Sequence, residues 1–425
     1  MLLLGSLVYL LVLLGLATFR RELLVLAIPL LVYLAAALPL QPREPRLSVE
    51  RSLVPDRVME GARVTVLLSV TNESSRPHRL TVQDLVPPRL VPDAGRCLTA
   101  SSLAPGETLV LTYGATPPRG AYSFHQVQVT LPGPLGLTQR TLALAAPGRL
   151  LVLPRIARLR RLSVRPLRTR GHAGPVPARL GGSGVDFFGV REYQIGDPQR
   201  WINWRASARL PSALFTNEFE QERIADVGLL LDARLHSDVG AGPNSLFEHA
   251  VHAIASLADV FLRDGNRVAL LIFGQYVQWI LPGYGKVQRE RIMLALAGAE
   301  LGDSHVFDSL ENLPSRLFAA GSQLVLVSPV ARDDVPPLLR LRALGYQLLV
   351  IRPDRVALET QQQVSHPSLE LAASTLRVEA ALVRRSLLQA GVQIVDWQVD
   401  RPLEQVVHAA LRRAAPWTRP MGARA

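Results

Sequence analysis

The chain has 425 residues, more than a single compact domain usually holds, so two or three domains are expected. Its 47 basic and 35 acidic residues give a formal charge of +12. The one cysteine, Cys97, excludes an internal disulfide framework and a Cys-x-x-Cys metal site.

Two apolar runs open the chain, over residues 2–19 and 23–40, with an Arg-Arg-Glu triplet between them. Each run is roughly 18 residues long, or about 27 Å as a helix, which nearly matches a bilayer core. A signal peptide is the weaker interpretation, because no positive charge precedes the first run and no small-residue cleavage site follows it. The sequence therefore predicts a transmembrane helical hairpin over residues 1–42.

The arginines around this hairpin bear on its orientation. Arg20 and Arg21 lie between the two runs, whereas four arginines follow the second run, at positions 43, 46, 51 and 57. Positive residues favour the cytoplasmic side of a membrane. We therefore expect a protein of the inner (plasma) membrane with its soluble domains in the cytoplasm.

Residues 43–154 show the alternation of half-buried strands. In the segment Arg63–Val70, valine and leucine alternate with arginine, threonine and serine, and clusters rich in proline and glycine separate such segments. Short alternating strands with regular turns are typical of an immunoglobulin-like β-sandwich. The role expected for this domain is a spacer or a binding surface.

Residues 155–183 are rich in arginine and glycine and predict a flexible linker. Contact with anionic lipid is a second possibility for its arginines. Nucleic-acid binding is disfavoured, because no aromatic residue interleaves them. The Gly-Gly-Ser-Gly run at 181–184 lacks the lysine of a phosphate-binding loop.

Residues 184–225 combine many charged and aromatic side chains. One interpretation is a docking or ligand site, and the other is a salt-bridged structural hub, since buried arginines need acidic partners. A hydrolase using Asp186, Asp197 and Arg200 is a third and weaker interpretation. The candidate residues are Asp186, Arg191, Glu192, Tyr193, Asp197, Arg200, Asn203, Trp204 and Arg209.

From residue 226 to 415, apolar strand-like segments alternate with helix-like segments, beginning with the strand that ends at Asp232. This order predicts a doubly wound, Rossmann-type α/β domain with a parallel sheet covered on both faces. Ligands of such sheets lie at the carboxyl ends of the strands.

The motifs of residues 184–232 resemble the bacterial family called domain of unknown function 58. They are Gly-x-Asp-Phe at 184–187, Arg-Glu-Tyr at 191–193, Gly-Asp at 196–197, Ile-Asn-Trp at 202–204 and the strand ending at Asp232. The resemblance implies a membrane-anchored protein with a von Willebrand factor A-like domain. It also implies a MoxR-type AAA+ ATPase as protein partner.

Von Willebrand A domains can hold Mg²⁺ through an Asp-x-Ser-x-Ser motif after the first strand, because a hard cation takes oxygen ligands. Here Arg234 and His236 stand where the two serines would be, so the resemblance implies a degenerate site around Asp232 that has lost its metal. Asp333 and Asp334 could supply a more distant acid, and Ser328 stands where another acid is expected.

The sequence as a whole favours a membrane-anchored, non-enzymatic scaffold or assembly factor that binds proteins. No catalytic motif is found, and no metal, cofactor or nucleic acid is predicted. The alternatives left open are a metal-dependent von Willebrand A binder facing outside and the hydrolase described above.

Overall fold

The computed structural model folds into two compact units, Met1–Leu153 and Pro154–Ala425. Each is described by itself below. The residues that the structure describes are 2–37, 44–133, 138–160, 170–210, 212–240, 242–304, 309–362 and 367–413.

The first unit begins with two helices, α1 (Leu2–Thr18) and α2 (Arg21–Ala37). They form where the sequence has its two apolar runs, and the chain turns between them at Phe19, whose φ is positive. Among the described residues, no helix is both long enough and apolar enough to cross a membrane.

Two facing β-sheets make up the rest of the first unit. One has the strand order β1-β3-β7-β5, and the other has the order β2-β9-β8-β4-β6. The strands are β1 (Leu47–Val54), β2 (Arg57–Met59), β3 (Val64–Asn72), β4 (His78–Asp84), β5 (Pro92–Gly95), β6 (Leu98–Leu103), β7 (Thr108–Ala115), β8 (Gly120–Pro132) and β9 (Gln139–Leu153).

The core of this unit lies between its two sheets. Alternate residues of β3 are fully buried and pack with residues of β8 and β9 from the other sheet, because successive side chains of a strand point to opposite faces. One buried polar group is satisfied within this core: the Tyr113 hydroxyl donates to Asp84 at 2.8 Å, and Arg51 pairs with the same carboxylate. The period-two pattern of the sequence thus forms strands, as predicted.

The second unit contains a two-stranded sheet, a six-stranded sheet and seven helices among its described residues. Its elements are β10 (Arg170–Glu192), α3 (Trp204–Ser207), β11 (Phe215–Ile224), β12 (Asp226–Asp232), α4 (Leu246–Arg263), β13 (Arg267–Phe273), β14 (Val277–Gly283), α5 (Gly285–Ala297), β15 (Gln323–Val327), α6 (Val335–Ala343), β16 (Gln347–Pro353), α7 (Arg355–Gln362), α8 (Pro367–Gln389), β17 (Gln393–Trp397) and α9 (Leu403–Arg413).

The glycine-rich part of the predicted linker forms a strand. Residues 170–183 lie in the long strand β10, which pairs antiparallel with β11. Residues such as Gly171, Val176 and Gly181 have partners in β11, and shifts of register at Ala178/Gly181 and Gly182/Phe187 absorb the irregular sequence of the segment. The structure therefore places residues 170–183 of the predicted flexible linker in a strand, whereas residues 161–169 lie outside the described part of the chain.

The six-stranded sheet has the order β14-β13-β12-β15-β16-β17, in which all neighbours are parallel except β14 and β13. Helices α6 and α8 pack on one face, while α4 lies against β12, β13 and β15. The strands are buried almost throughout, as a sheet covered on both sides requires. The mixed α/β multidomain class expected from the sequence is confirmed.

The order of these strands places a possible site. From β12 the chain goes on to β13 on one side, and β15 lies on the other side of β12. Ligands of open α/β sheets bind at such a switch point, outside the carboxyl ends of the strands. The residues that follow β12 and β15 are therefore the first place to look for a functional site.

Candidate functional site

A buried arginine occupies the end of the first parallel strand, β12. Arg234 is 2% exposed and folds back on Asp232, the last residue of that strand. Its Nε donates to Asp232 Oδ1 at 2.9 Å, and its Nη2 donates to Asp232 Oδ2 at 2.7 Å. This two-point contact matches the planar guanidinium to the planar carboxylate.

The same guanidinium reaches a second buried acid from the loop after β15. Arg234 Nη1 donates to Asp334 Oδ1 at 2.9 Å, and Nη2 donates to Asp334 Oδ2 at 3.1 Å. The Ser328 hydroxyl donates to Asp232 Oδ2 at 2.7 Å. Because β12 and β15 are parallel neighbours, their carboxyl ends bring Asp232 and Ser328 to one edge of the sheet. Asp334 joins this cluster, and we call Asp232, Arg234, Ser328 and Asp334 the arginine clamp.

The electrostatics of the arginine clamp keep Arg234 charged. Burial by itself lowers the pKa of Arg234, but hydrogen bonds and charges from Asp232 and Asp334 outweigh it and raise the pKa above its usual value. A backbone N–H, from Ala331, also donates to Asp334 Oδ2 at 2.9 Å. Both carboxylates therefore have strong hydrogen-bond donors inside the protein.

The two residues that stand in place of the metal-binding serines, Arg234 and His236, have different surroundings. Arg234 places a guanidinium between the carboxylates of Asp232 and Asp334, which would otherwise face one another. The positive charge that balances them is therefore a side chain of the protein. His236, the second substituted position, is exposed and lies in the short turn Leu235–Ser237. Among the described residues, no group of three His, Cys, Asp or Glu side chains is placed to hold a metal ion.

The second cluster lies in the hairpin of β10 and β11, where Arg191 holds the following turn. Its Nη1 and Nη2 each contact the Asp197 carboxylate at 2.7 Å, and its Nε lies 3.6 Å from Glu218 of β11. The hydrogen bond from Arg191 lowers the pKa of Asp197, and the Gln194 N–H adds to this effect. Arg191 thus links both strands and the turn at Gly196, and we call Arg191, Asp197 and Glu218 the Arg191 cluster.

Asn203 joins the short helix α3 to β11. Its side-chain oxygen accepts the N–H of Ala206 at 3.0 Å, which caps the helix. Its side-chain nitrogen donates to Asn217 Oδ1 at 2.7 Å, and its own N–H donates to the Phe215 carbonyl at 2.8 Å. Tyr193 adds a weaker contact, from its hydroxyl to the Asp197 carbonyl at 3.4 Å.

The structure does not bring the remaining predicted residues of this segment into the cluster. Glu192, Trp204 and Arg209 are exposed. Arg200 is also exposed and lies 5.8 Å from the ring of Trp201, so it does not pair with Asp197. The side chain of Asp186 lies outside the described part of the structure. Asp197 therefore pairs with Arg191 and not with Arg200, and the hydrolase trio that also includes Asp186 stays a prediction.

Sequence reasoning missed a cavity of about 520 Å³ at the carboxyl edge of the six-stranded sheet. It lies against the arginine clamp, with Arg234, Ser328 and Asp334 in its lining, and it extends to the ends of β16 and β17. Of the residues that the structure describes, seven arginines and four acidic residues line it. A signal was present in the sequence, because an arginine lies at or just after the carboxyl end of β12, β15, β16 and β17.

Comparison with known proteins gives a match that covers part of the β10–β11 hairpin and most of the six-stranded sheet. Residues 189–370 match the model of the family described as "Protein of unknown function DUF58". Over this region the chain belongs to the DUF58 family. The match begins inside β10 and ends in α8, so it contains the Arg191 cluster and the arginine clamp.

A Bacillus subtilis relative, the uncharacterized protein YeaD, is 33% identical to this chain over 158 residues. That match covers 37% of this chain and 37% of the Bacillus protein. The chain thus matches well under half of its curated relative's length.

Two solved structures resemble the chain only loosely. The CARDB domain of the PF1109 protein from Pyrococcus furiosus is 21% identical over 26% of this chain and 96% of that chain, with a TM-score of 0.19. An exo-β-N-acetylglucosaminidase from Vibrio harveyi is 10% identical over 84% of this chain and 76% of that chain, with a TM-score of 0.25. At these TM-scores, neither similarity indicates a shared fold or function.

Proposed function

We propose that the chain is a membrane-anchored, non-enzymatic protein-binding scaffold or assembly factor, with a MoxR-type ATPase as its partner. In this proposal the N-terminal helices anchor the protein in the membrane. The two facing sheets form an immunoglobulin-like spacer, and the six-stranded sheet belongs to a von Willebrand A-like domain that binds proteins. The ATPase partner follows from the family resemblance.

The observation that carries the proposal is the exposure of large apolar side chains beside the Arg191 cluster. Trp204 is 68% exposed, and Ile195, at the tip of the turn that Asp197 holds, is fully exposed. Leu210 and Leu214 are 55% and 47% exposed in the same segment. Exposed apolar side chains on a rigid polar support are typical of protein-binding surfaces, and tryptophan is enriched at their centres.

The arginine clamp supports the non-enzymatic part of the proposal. Both of its carboxylates already accept hydrogen bonds from Arg234, so neither is placed as a general base. Arg191 engages the Asp197 carboxylate in the same way. In both clusters the acids serve to hold the chain in place.

Cross-linking in the native membrane, followed by purification of the full chain, tests the proposal. A MoxR-type ATPase should be recovered with the wild type and lost with a Trp204→Ala, Ile195→Ala double variant. A matched control is Leu281→Ala, Leu344→Ala, which removes two other exposed apolar side chains of the same unit. Failure to recover such an ATPase with the wild type would refute the partner, and equal recovery with both variants would refute the surface.

A further inference from the structure

The cavity at the carboxyl edge of the six-stranded sheet has a surplus of positive charge. Four of its seven arginines pair with acids: Arg234 within the arginine clamp, Arg352 and Arg384 with Asp396, and Arg355 with Glu359. The other three, Arg332, Arg377 and Arg401, have neither an ion pair nor a side-chain hydrogen bond among the described residues. All three are exposed.

These three arginines come from different parts of the fold. Arg332 lies in the turn after β15, Arg377 lies on α8, and Arg401 follows β17. One exposed acid without an ion pair, Glu379, lies among them. The positive charges are therefore distributed around the opening and are not gathered at one point.

The donors that would cradle a phosphate are already occupied or missing. The Asp354 side chain accepts the Ala357 N–H at 3.1 Å, which caps the beginning of α7, and Asp334 accepts the N–H of Ala331. Among the described residues that line the cavity there is no glycine, so this part of the lining has no glycine-rich backbone loop of the kind found in phosphate sites. Trp397 is the only Phe, Tyr or Trp among the described lining residues, and at 5% exposure it offers little surface for a base to stack on.

The rest of the lining is largely apolar and includes Val330, Val356, Leu376, Val383 and Val406. A volume of about 520 Å³ lies within the range of pockets that bind ligands. Such a lining fits aliphatic side chains, while arginines at the opening fit carboxylates.

We propose that this cavity binds an acidic peptide segment of a partner protein, in which carboxylates alternate with aliphatic side chains. Arg332, Arg377 and Arg401 bind the carboxylates, and Leu376 and Val406, which are half-buried, contact the aliphatic groups. Arg234 shapes the floor of the cavity but has its own acids, so it does not bind the peptide. The inference rests on the proposed protein-binding function and adds a second surface, apart from Trp204 and Ile195.

Fluorescence anisotropy on the purified full chain tests this site without any natural partner. The probe is a short labelled peptide that alternates glutamate with leucine, and its control has glutamine in place of every glutamate. We expect binding of the glutamate peptide alone, and a loss of affinity of about tenfold or more in an Arg332→Gln, Arg377→Gln, Arg401→Gln variant.

The matched control variant is Arg291→Gln, Arg316→Gln, Arg340→Gln. It removes the same charge from three exposed arginines outside the cavity, which also have no ion pair among the described residues. It should bind the glutamate peptide as the wild type does. Equal losses in the two variants would mean general attraction to a basic surface and would overturn the site.

Inorganic phosphate and ATP serve as competitors. Displacement of the peptide by either one at lower concentration than by unlabelled peptide would make the cavity a phosphate site and refute the proposal. Because the assay uses only purified protein and peptides, its failure leaves the ATPase cross-linking result untouched. Conversely, peptide binding with no ATPase recovered would keep this site and refute the partner.

Discussion

At the scale of single residues, Arg234 decides the chemistry of the sheet edge. Its guanidinium lies between two carboxylates that are each 3% exposed, with the Ser328 hydroxyl beside them. Removing one partner of a buried ion pair leaves an uncompensated charge, which costs far more than a solvent-exposed pair contributes. One substitution at this position should therefore change both stability and ion binding.

The substitution Arg234→Ser should reduce the free energy of unfolding by about 3–5 kcal/mol, because Asp232 and Asp334 would face one another without a positive charge. It also leaves two carboxylates and two hydroxyls near one point, which are ligands that Mg²⁺ accepts. Mg²⁺ should therefore raise the unfolding midpoint of this variant in urea while leaving the wild-type midpoint unchanged.

The control for that experiment is Arg234→Ser combined with Asp232→Asn and Asp334→Asn, which removes the anionic oxygens. This triple variant should be more stable than Arg234→Ser without metal and should not respond to Mg²⁺. An Arg234→Ser protein as stable as the wild type would show that the arginine clamp contributes little.

At the scale of elements, the hairpin of β10 and β11 holds its polar cluster through a few specific links. Asn203 links two of the elements, since it caps α3 and contacts Asn217 of β11. The stability of residues 203–217 should therefore depend on this asparagine.

Asn203→Ala should cost about 1–2 kcal/mol of local stability, because it removes a helix cap and a side-chain hydrogen bond together. Hydrogen exchange followed by mass spectrometry should show faster exchange at residues 203–217 and no change in β12–β17. Asn203→Asp keeps the capping oxygen, so its exchange should lie between those of the wild type and the alanine variant. Uniform acceleration across the whole unit would contradict a local role.

Some elements could be predicted from the sequence because local pattern determines them. Helix α4 has apolar residues at helical spacing and begins after Ser245, whose side chain accepts the Glu248 N–H. The parallel strands show as continuous apolar runs. Helix α7 was missed because it has only eight residues and ends in Thr-Gln-Gln, which carries no apolar periodicity.

The links between distant residues could not be predicted in the same way. Arg234 and Asp334 are 100 positions apart, and only the parallel pairing of β12 with β15 brings them together. The sequence indicated that Arg234 would oppose a metal, but not which acid it would bind. Likewise, the glycine content of residues 170–183 suggested a flexible linker. The pairing of this segment could not be predicted, because its partner strand β11 follows dozens of residues later.

At the scale of the whole molecule, the arginines set the expected orientation in the membrane. The triplet between α1 and α2 has two arginines, and four follow the apolar runs at positions 43, 46, 51 and 57. One of the four, Arg51, pairs with Asp84 inside the first unit, so it is committed to that fold. The excess of arginines after the apolar runs, which favours a cytoplasmic C-terminus, is therefore smaller than the count of four suggests.

Because this excess of arginines is small, the orientation should respond to single pairs of substitutions. A fluorescent protein fused to the C-terminus should fluoresce, and alkaline phosphatase fused there should be inactive, because only the latter needs an oxidising compartment outside the cytoplasm. Replacing Arg43 and Arg46 with glutamine should raise phosphatase activity, since the remaining charge near the apolar runs then favours the loop. Replacing Arg20 and Arg21 with glutamine is the matched control and should keep phosphatase activity low. Active phosphatase in the unaltered chain would place the arginine-lined cavity outside the cytoplasm, where an ATPase that uses cellular ATP could not reach it.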